Sequence, residues 1–157
     1  MDDSAKYNFN DLFVFDMANN HQGKIDHALN IIKQIGNISQ KKKIRGVMKF
    51  QFRELDTFIH RKFQKNHDNE QIKRFTSTRL EFSDFKFLHN ECKVNNLITM
   101  CTPFDEASVD HITKIGFDLI KVASCSAKDW PLLEKISNSN LPIIFSTGGL
   151  LVSEIDD

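Results

Sequence analysis

Two lysines lie within apolar segments of this sequence, where a buried charge requires a partner. Lys49 falls in GVMKFQF (residues 46–52), and Lys121 falls in DLIKV (residues 118–122). An ammonium group in such a segment must reach solvent at the segment's end or pair with an anion, because an unpaired buried charge is costly. Hydroxyl side chains follow neighbouring apolar segments, at Thr102, Ser124 and Ser146. Together, two ammonium groups and three hydroxyls could hold a phosphate and a carboxylate.

A simpler alternative is two solvated lysines at strand ends with ordinary loop hydroxyls beside them. That interpretation suits any one of these side chains, but it accounts less well for the set of five. The glycine-rich phosphate motifs G-x-G-x-x-G and G-x-x-x-x-G-K-[ST] are absent from the sequence. Gly148-Gly149 is the nearest feature, and a simple turn explains it as well.

Histidine and cysteine offer weaker candidates. His21 follows Asn20 in a predicted loop, where it could act as a general acid or base or as a metal ligand. A loop histidine bonded to the backbone is the commoner case. The other histidines have no zinc-ligand spacing: His27, His60, His67, His89 and His111. Among the cysteines, Cys92 and Cys101 are expected to pack in the core, whereas Cys125 lies beside a polar strand end and is left open as a nucleophile.

These candidate residues must be positioned by an alternation of strands and helices. Five short apolar runs predict buried strands, over residues 12–15, 46–52, 97–101, 118–122 and 141–145. Between them, apolar residues recur at helical spacing. One helix is predicted to end at Gly36, another to begin at Ser83, another to be capped by Asp105 and to end at Gly116, and another to open at residues 129–131.

Two further segments connect these elements. The run Lys41–Lys43 is expected to form a solvated turn before the second strand. The connection over residues 53–82 is long for a compact domain, and it is therefore expected to be functional or partly helical.

Near-continuous apolar strands joined by helices predict an α/β fold with a parallel sheet. Every predicted strand end carries polar groups: Asp16, Lys49 with Gln51, Thr102, Lys121 with Ser124, and Ser146 with Thr147. In an open doubly wound sheet only the ends at the switch point meet, whereas in a barrel all of them converge on one mouth. We therefore expect a (β/α)8 TIM-type barrel. A complete barrel needs about 250 residues, so residues 1–157 are predicted to form its N-terminal portion, truncated after about five strands.

Composition limits the function classes. The chain has 157 residues, 40% of them hydrophobic, with 21 Lys and Arg balanced by 21 Asp and Glu. A net charge of zero gives no electrostatic footprint for nucleic acid. Apolar runs fall short of the roughly 20 residues that a membrane span needs. Three cysteines without C-x-x-C spacing are typical of reduced thiols, and a cytoplasmic location is expected.

Five motifs, in order along the chain, resemble those of the sialic acid synthases. They are FDMANNHQG (residues 15–23), KFQ (49–51), CTPFD (101–105), KVAS (121–124) with DWPLL (129–133), and PIIFSTG (142–148). The resemblance covers about residues 10–157 and places each motif at a predicted strand end. Three positions depart from the family pattern: Asp16 replaces a glutamate, Ala18 a glycine, and Gly149 a common methionine.

This resemblance implies an enzyme that condenses phosphoenolpyruvate with an N-acylated aminosugar such as N-acetylmannosamine, giving a nonulosonic acid and phosphate. It implies that Asp16 is catalytic, contacting the sugar and assisting proton transfer. Substrate-binding roles follow for the other matched positions: Lys49, Thr102, Ser124 and Ser146 for the phosphate of phosphoenolpyruvate, Lys121 for its carboxylate, and Gln51 for the sugar.

Other expectations also come from the family. A divalent metal, Mn or Mg, would polarise the aldehyde, but its histidine ligands lie on strands beyond residue 157, as does a C-terminal antifreeze-like domain. The full-length form would be a homodimer, and this chain alone would be inactive. Two alternatives stay open: a related synthase with another aldehyde, selected by residues 53–82 or by later strands, and a non-catalytic half-barrel that binds anions or pairs with a second chain.

Overall fold

A computed structural model describes residues 7–64 and 68–156 as one parallel sheet with helices along it. Five strands form the sheet: β1 (Leu12–Ala18), β2 (Arg45–Phe52), β3 (Ile98–Pro103), β4 (Leu119–Val122) and β5 (Ile143–Phe145). Residues 1–6, 65–67 and 157 of the predicted domain, among them His67, lie outside the described residues.

Within the described ranges, seven α-helices and two 3-10 turns connect and follow the strands. The helices are α1 (Ile25–Lys42), α2 (Leu55–Phe58), α3 (Glu70–Ser77), α4 (Phe82–Val94), α5 (Glu106–Ile115), α6 (Trp130–Ser137) and α7 (Val152–Asp156), and the 3-10 turns are Arg61–Phe63 and Ser124–Ser126. No helix in the described part of the chain is long and apolar enough to cross a membrane.

The strands follow one another in the order β1-β2-β3-β4-β5, and every neighbouring pair is parallel. A doubly wound sheet reverses its strand order at a switch point, whereas a barrel wall advances one strand at a time. Strand residues Phe50 and Ile120 pack with helix residues Ile32, Leu88 and Ile112 in the main core. The helices thus cover one face of the sheet, as they do on the outside of a barrel.

A second, smaller cluster lies on the opposite face. Val47, Met100 and Leu119 form its buried centre, with Leu12 and Ile144 packed against it. The three buried residues lie in the amino-terminal halves of β2, β3 and β4. The carboxyl-terminal halves of these strands are thus left for polar groups on this face.

The predicted end of the first helix at Gly36 is wrong, and the predicted solvated turn at Lys41–Lys43 is confirmed only in part: all three lysines are exposed, but Lys41 and Lys42 are helical. Helix α1 continues through Lys42 and ends at Lys43, whose φ of 53° is left-handed. Gly36 has a packing role instead, because a Cβ at that position would lie 2.9 Å from the Cβ of Asn95, at the end of α4. The glycine allows α1 to approach α4 closely; it does not end the helix.

The predicted boundaries of α5 and α6 are confirmed, whereas α4 begins at Phe82, one residue before the predicted Ser83. Asp105 caps α5 by accepting a hydrogen bond from the Ser108 amide, and the helix ends at Gly116, whose φ is 92°. Asp129 caps α6 in the same way, with proline in the first turn. The long connection over residues 53–82 is partly helical, since α2, a 3-10 turn and α3 lie within it.

Candidate functional site

Alternation along β2 divides its side chains between the two faces of the sheet. Met48, Phe50 and Phe52 belong to the core shared with the helices. Successive side chains of a strand point to opposite faces. Lys49 and Gln51 therefore project from the face that the helices leave uncovered, which we call the inner face.

The same alternation brings the other candidates to the inner face. On β3 and β4, Cys101, Ile120 and Val122 pack with the helices, so Thr102 and Lys121 take the opposite side. Asp16 lies on the inner face of β1, because its neighbour Met17 is in the helix-side core.

Lys49 forms an ion pair with Asp16 across β1 and β2. The two residues are partners in the parallel register, and Lys49 Nζ lies 2.8 Å from Asp16 Oδ2. The lysine side chain is 15% exposed and the aspartate side chain 51% exposed. The pair therefore holds the predicted catalytic carboxylate directly beside a predicted phosphate-binding ammonium group.

Lys121 is held at the carboxyl ends of β4 and β5. Its Nζ donates to Ser146 Oγ at 2.5 Å and to the Val122 carbonyl at 2.6 Å. Burial lowers the pKa of Lys121 from its usual 10.5, and the positive charge of Lys49 lowers it further. The two ammonium groups are thus close enough to repel each other, which is the arrangement that a bound anion stabilises.

Hydroxyl and amide groups complete this edge of the sheet. Thr102 is 2% exposed and lies opposite Gln51 in the register of β2 and β3. Ser124 is exposed in the turn after β4. A Cβ at Gly148 would lie 3.5 Å from the Ser124 Cβ, so the loop after β5 packs beside this serine. Their roles toward a ligand stay predictions.

The lowered pKa of Lys121 gives an expected pH dependence of anion binding. Only the charged ammonium attracts an anion, so affinity is complete at neutral pH and falls as the pH rises through the lowered pKa, with the loss beginning below pH 10.5. Sulfate is the suitable probe, since its charge is constant over this range. We expect calorimetric titrations to show this alkaline loss, and Lys121→Met to bind sulfate more weakly at neutral pH. An affinity that stays constant up to pH 10.5 would contradict the assignment.

His21 is a backbone-bonded loop histidine. It is 2% exposed, and its Nδ1 accepts a hydrogen bond of 3.0 Å from the Gly23 amide. Burial lowers its pKa, outweighing a hydrogen bond with the Ala18 backbone. The neutral ring stabilises the turn after β1, which favours the structural alternative over a titrating group.

The three cysteines differ in environment. Cys92 and Cys101 are fully buried, and burial raises the pKa of Cys92 to about 12 and that of Cys101 above its usual value. These two thiols pack in the core, as expected. Cys125 is exposed beside Ser124.

Within residues 7–64 and 68–156, no cluster of three or more His, Cys, Asp or Glu side chains is arranged to hold a metal ion. The ion pair of Asp16 with Lys49 supplies one carboxylate and neutralises it. The described residues therefore provide no complete site for the divalent metal, whose histidine ligands the family resemblance places beyond residue 157.

One charged group at this edge was missed by sequence analysis. Arg53 follows β2 immediately, and its Nη1 and Nη2 both lie 3.2 Å from Gln51 Oε1, to which they donate. Its guanidinium lies between the rings of Phe104, at 3.6 Å, and Phe75, at 4.4 Å. Arg53 comes two residues after Gln51, as Gln51 comes two residues after Lys49, so the two-residue period of a strand would have identified it. No local signal identifies the two distant rings.

Comparison with known proteins identifies what the chain resembles. The NeuB family model matches residues 39–157. The N,N'-diacetyllegionaminic acid synthase of Campylobacter jejuni is 29% identical over 154 residues, covering 93% of this chain and 45% of that protein. A solved structure from Chromobacterium violaceum, named for spore coat polysaccharide biosynthesis protein E, has 45% identity and a TM-score of 0.88 over 92% of this chain and 43% of that one.

A further structure supports the fold alone. The N-acetylneuraminic acid synthetase of Leptospira borgpetersenii has a TM-score of 0.73 at 24% identity, over 93% of this chain and 47% of that one. With the sequential parallel sheet, this similarity confirms the predicted α/β TIM-type barrel, of which the described residues form five strands. The chain spans less than half the length of the curated relatives it matches, between 37% and 45% of each.

Proposed function

Because the chain belongs to the NeuB family, we propose that it forms the phosphoenolpyruvate-binding part of a nonulosonic acid synthase. The observation that carries this proposal is the pair of lysines on the inner face, Lys49 bonded to Asp16 and Lys121 bonded to Ser146. The relatives include enzymes named as synthases of sialic and legionaminic acids, which supports a transferase.

The negative charge of the ligand is complementary to the positive charge of the site. Phosphoenolpyruvate carries a phosphate and a carboxylate a few bonds apart, and two ammonium groups on adjacent parts of one face suit two such anions. Lys49 with the hydroxyls of Thr102, Ser124 and Ser146 would receive the phosphate, and Lys121 would receive the carboxylate. Burial lowers the pKa of Lys121 first and the charge of Lys49 lowers it further, and a bound anion would offset this repulsion between the two ammonium groups.

The proposed reaction forms one carbon–carbon bond. The methylene carbon of phosphoenolpyruvate uses its enol electron pair to attack the aldehyde carbon of an N-acylated aminosugar such as N-acetylmannosamine. The aldehyde oxygen takes up a proton, and water adds to the cationic carbon left next to the new bond. That carbon then loses phosphate with its bridging oxygen and becomes a ketone, and the water's protons are released.

The described side chains contribute position and charge. The two lysines and their hydroxyl neighbours would hold the enol phosphate in place and stabilise the charge on the departing phosphate. Asp16, fixed by Lys49 at 2.8 Å, would assist proton transfer at the sugar side. Gln51 would contact the sugar. A homodimer is proposed for the full-length form.

Binding selectivity tests this proposal in the chain itself. We expect phosphoenolpyruvate to bind in a 1:1 complex at least about tenfold more tightly than pyruvate or inorganic phosphate, since each control offers only one anionic group. A second comparison uses 3-phosphoglycerate, which has the same groups at a longer spacing. Calorimetry measures all four affinities.

The outcome separates the two candidate functions. Preference for phosphoenolpyruvate over 3-phosphoglycerate supports the synthase site. Equal binding of any phosphorylated anion supports the alternative, a non-catalytic half-barrel that binds anions or pairs with a second chain. One observation favours this alternative: apolar side chains are exposed on the outer strands β1 and β5, namely Phe13, Val14, Ile143 and Phe145.

A further inference from the structure

Arg53 is a largely buried cation with no carboxylate bonded to it in the described part of the chain. Its Nε is buried and has no hydrogen-bond partner, and its guanidinium carbon lies over the rings of Phe104 and Phe75. Burial lowers the pKa of Arg53 to about 10, and the charge of Arg74 contributes to this shift. Cation–ring contacts offset only part of the cost of removing a charge from water.

The nearby acidic groups are already occupied. Asp105 is near enough to stabilise the charge of Arg53, but its Oδ1 accepts from Ser108 and its Oδ2 accepts from the Glu54 amide. The nearby Arg79 forms ion pairs with Asp56 and Glu81. Among the described residues, the Arg53 guanidinium thus has no bonded counterion, whereas that of Arg79 has two.

A cavity opens beside Arg53. It has a volume of about 30 Å³, which is room for about two water-sized groups. Apolar side chains form part of its lining. The polar side chains that line the rest are Asn19, His21, Gln51, Arg53, Thr78 and Arg79. With two guanidinium groups and no carboxylate among its lining residues, the cavity suits the oxygens of an anion.

The position of the cavity favours the acceptor as the source of that anion. The two lysines assigned to phosphoenolpyruvate contact Asp16 on β1 and Ser146 after β5. Arg53 lies one step further along β2, beyond Gln51, and its cavity is bounded by the β1 loop and by α3 and its following turn. Gln51, whose Oε1 accepts from Arg53, lies between the two regions and turns its amide N–H groups away from the guanidinium.

We propose that Arg53 binds a carboxylate or phosphate group carried by the acceptor substrate, so that the acceptor is an anionic sugar. This inference rests on the proposed synthase function. The planar fork of the guanidinium suits bidentate contact with either group, and stacking between Phe75 and Phe104 fixes its plane before the ligand arrives.

Three sugars that share the same ring test the inference. N-acetylmannosamine is the neutral probe, and its 6-phosphate and its uronate are the anionic probes. Each is titrated into the ¹⁵N-labelled chain with phosphoenolpyruvate at saturation, so that the lysine site is filled. We expect the Arg53 Nε–H resonance to shift with the anionic sugars only, and the two anionic probes show whether phosphate or carboxylate is preferred.

Matched variants give the energetic test. Arg53→Gln should weaken binding of the preferred anionic sugar at least about tenfold and leave the neutral sugar unchanged. Arg53→Lys keeps the charge but not the planar fork, so its affinity for that anionic sugar should lie between those of Arg53→Gln and the unmodified chain. Arg61→Gln removes the same charge from an exposed position of the same connection and should behave as the unmodified chain.

Two results overturn the inference. An equal loss for charged and neutral sugars in Arg53→Gln would mean that Arg53 only positions Gln51, and failure of every sugar to bind would remove the subsite. The proposed function fails separately: if phosphoenolpyruvate does not bind but the anionic sugars still shift Arg53, the anion subsite is upheld and the synthase assignment is not.

Discussion

Lys49→Met is expected to weaken phosphoenolpyruvate binding by about 30- to 150-fold, since hydrogen bonds to charged groups are worth about 2–3 kcal/mol. Two effects combine in this variant. One ammonium group is lost from the inner face, and the carboxylate of Asp16, now 2.8 Å from that group, is left without its counterion beside the ligand. Isothermal titration of the chain with phosphoenolpyruvate measures the change.

A double variant separates the two effects. Asp16→Asn added to Lys49→Met should recover part of the lost affinity, because the repelling carboxylate is gone. Lys128→Met is the matched control: this lysine lies after β4, and its side chain is 62% exposed and pairs with Glu154 on the surface. If Lys128→Met weakens binding as much as Lys49→Met does, affinity depends on net charge alone and the site assignment is wrong.

Phe50→Ala is expected to lower the free energy of unfolding by about 3–5 kcal/mol. Phe50 is 1% exposed at the centre of the sheet, and its ring meets those of Phe85 and Phe117 edge-on at 6.3 and 5.9 Å. Its removal leaves a cavity between β2, α4 and the segment before β4, which the surrounding side chains cannot close. Urea denaturation followed by circular dichroism gives the difference.

Phe87→Ala provides the comparison outside the core. Phe87 lies on α4 and is 45% exposed, so its truncation removes the same atoms from a position largely in contact with water. We expect a cost of less than about 1 kcal/mol. Similar losses in the two variants would show that Phe50 is not part of a close-packed core.

Strand positions and the inner-face side chains were predictable because both depend on local alternation. Lys49 and Lys121 stand out within apolar runs, and residues two positions apart on a strand share a face whatever the rest of the chain does. Asp105 and Gly116 were likewise identifiable as helix ends, since capping is decided by residues within one turn.

The features that sequence analysis missed depend on contacts between distant segments. Gly36 has the local signature of a helix end, and only its approach to Asn95 explains why the helix continues. Arg53 gains its significance from Phe75 and Phe104, one on α3 and the other after β3. Such packing is set by the tertiary fold, which a single sequence does not display position by position.

The sequential strand order also divides the chain-entropy cost of assembling the site unequally. Met100 on β3 pairs with Leu119 on β4, 19 positions later, whereas Val47 on β2 pairs with Ile98, 51 positions later. Closing the longer segment costs about 0.9 kcal/mol more in chain entropy. The strands that carry Thr102 and Lys121 are therefore joined over a short closure, and the entropic burden falls on the connection that carries Arg53.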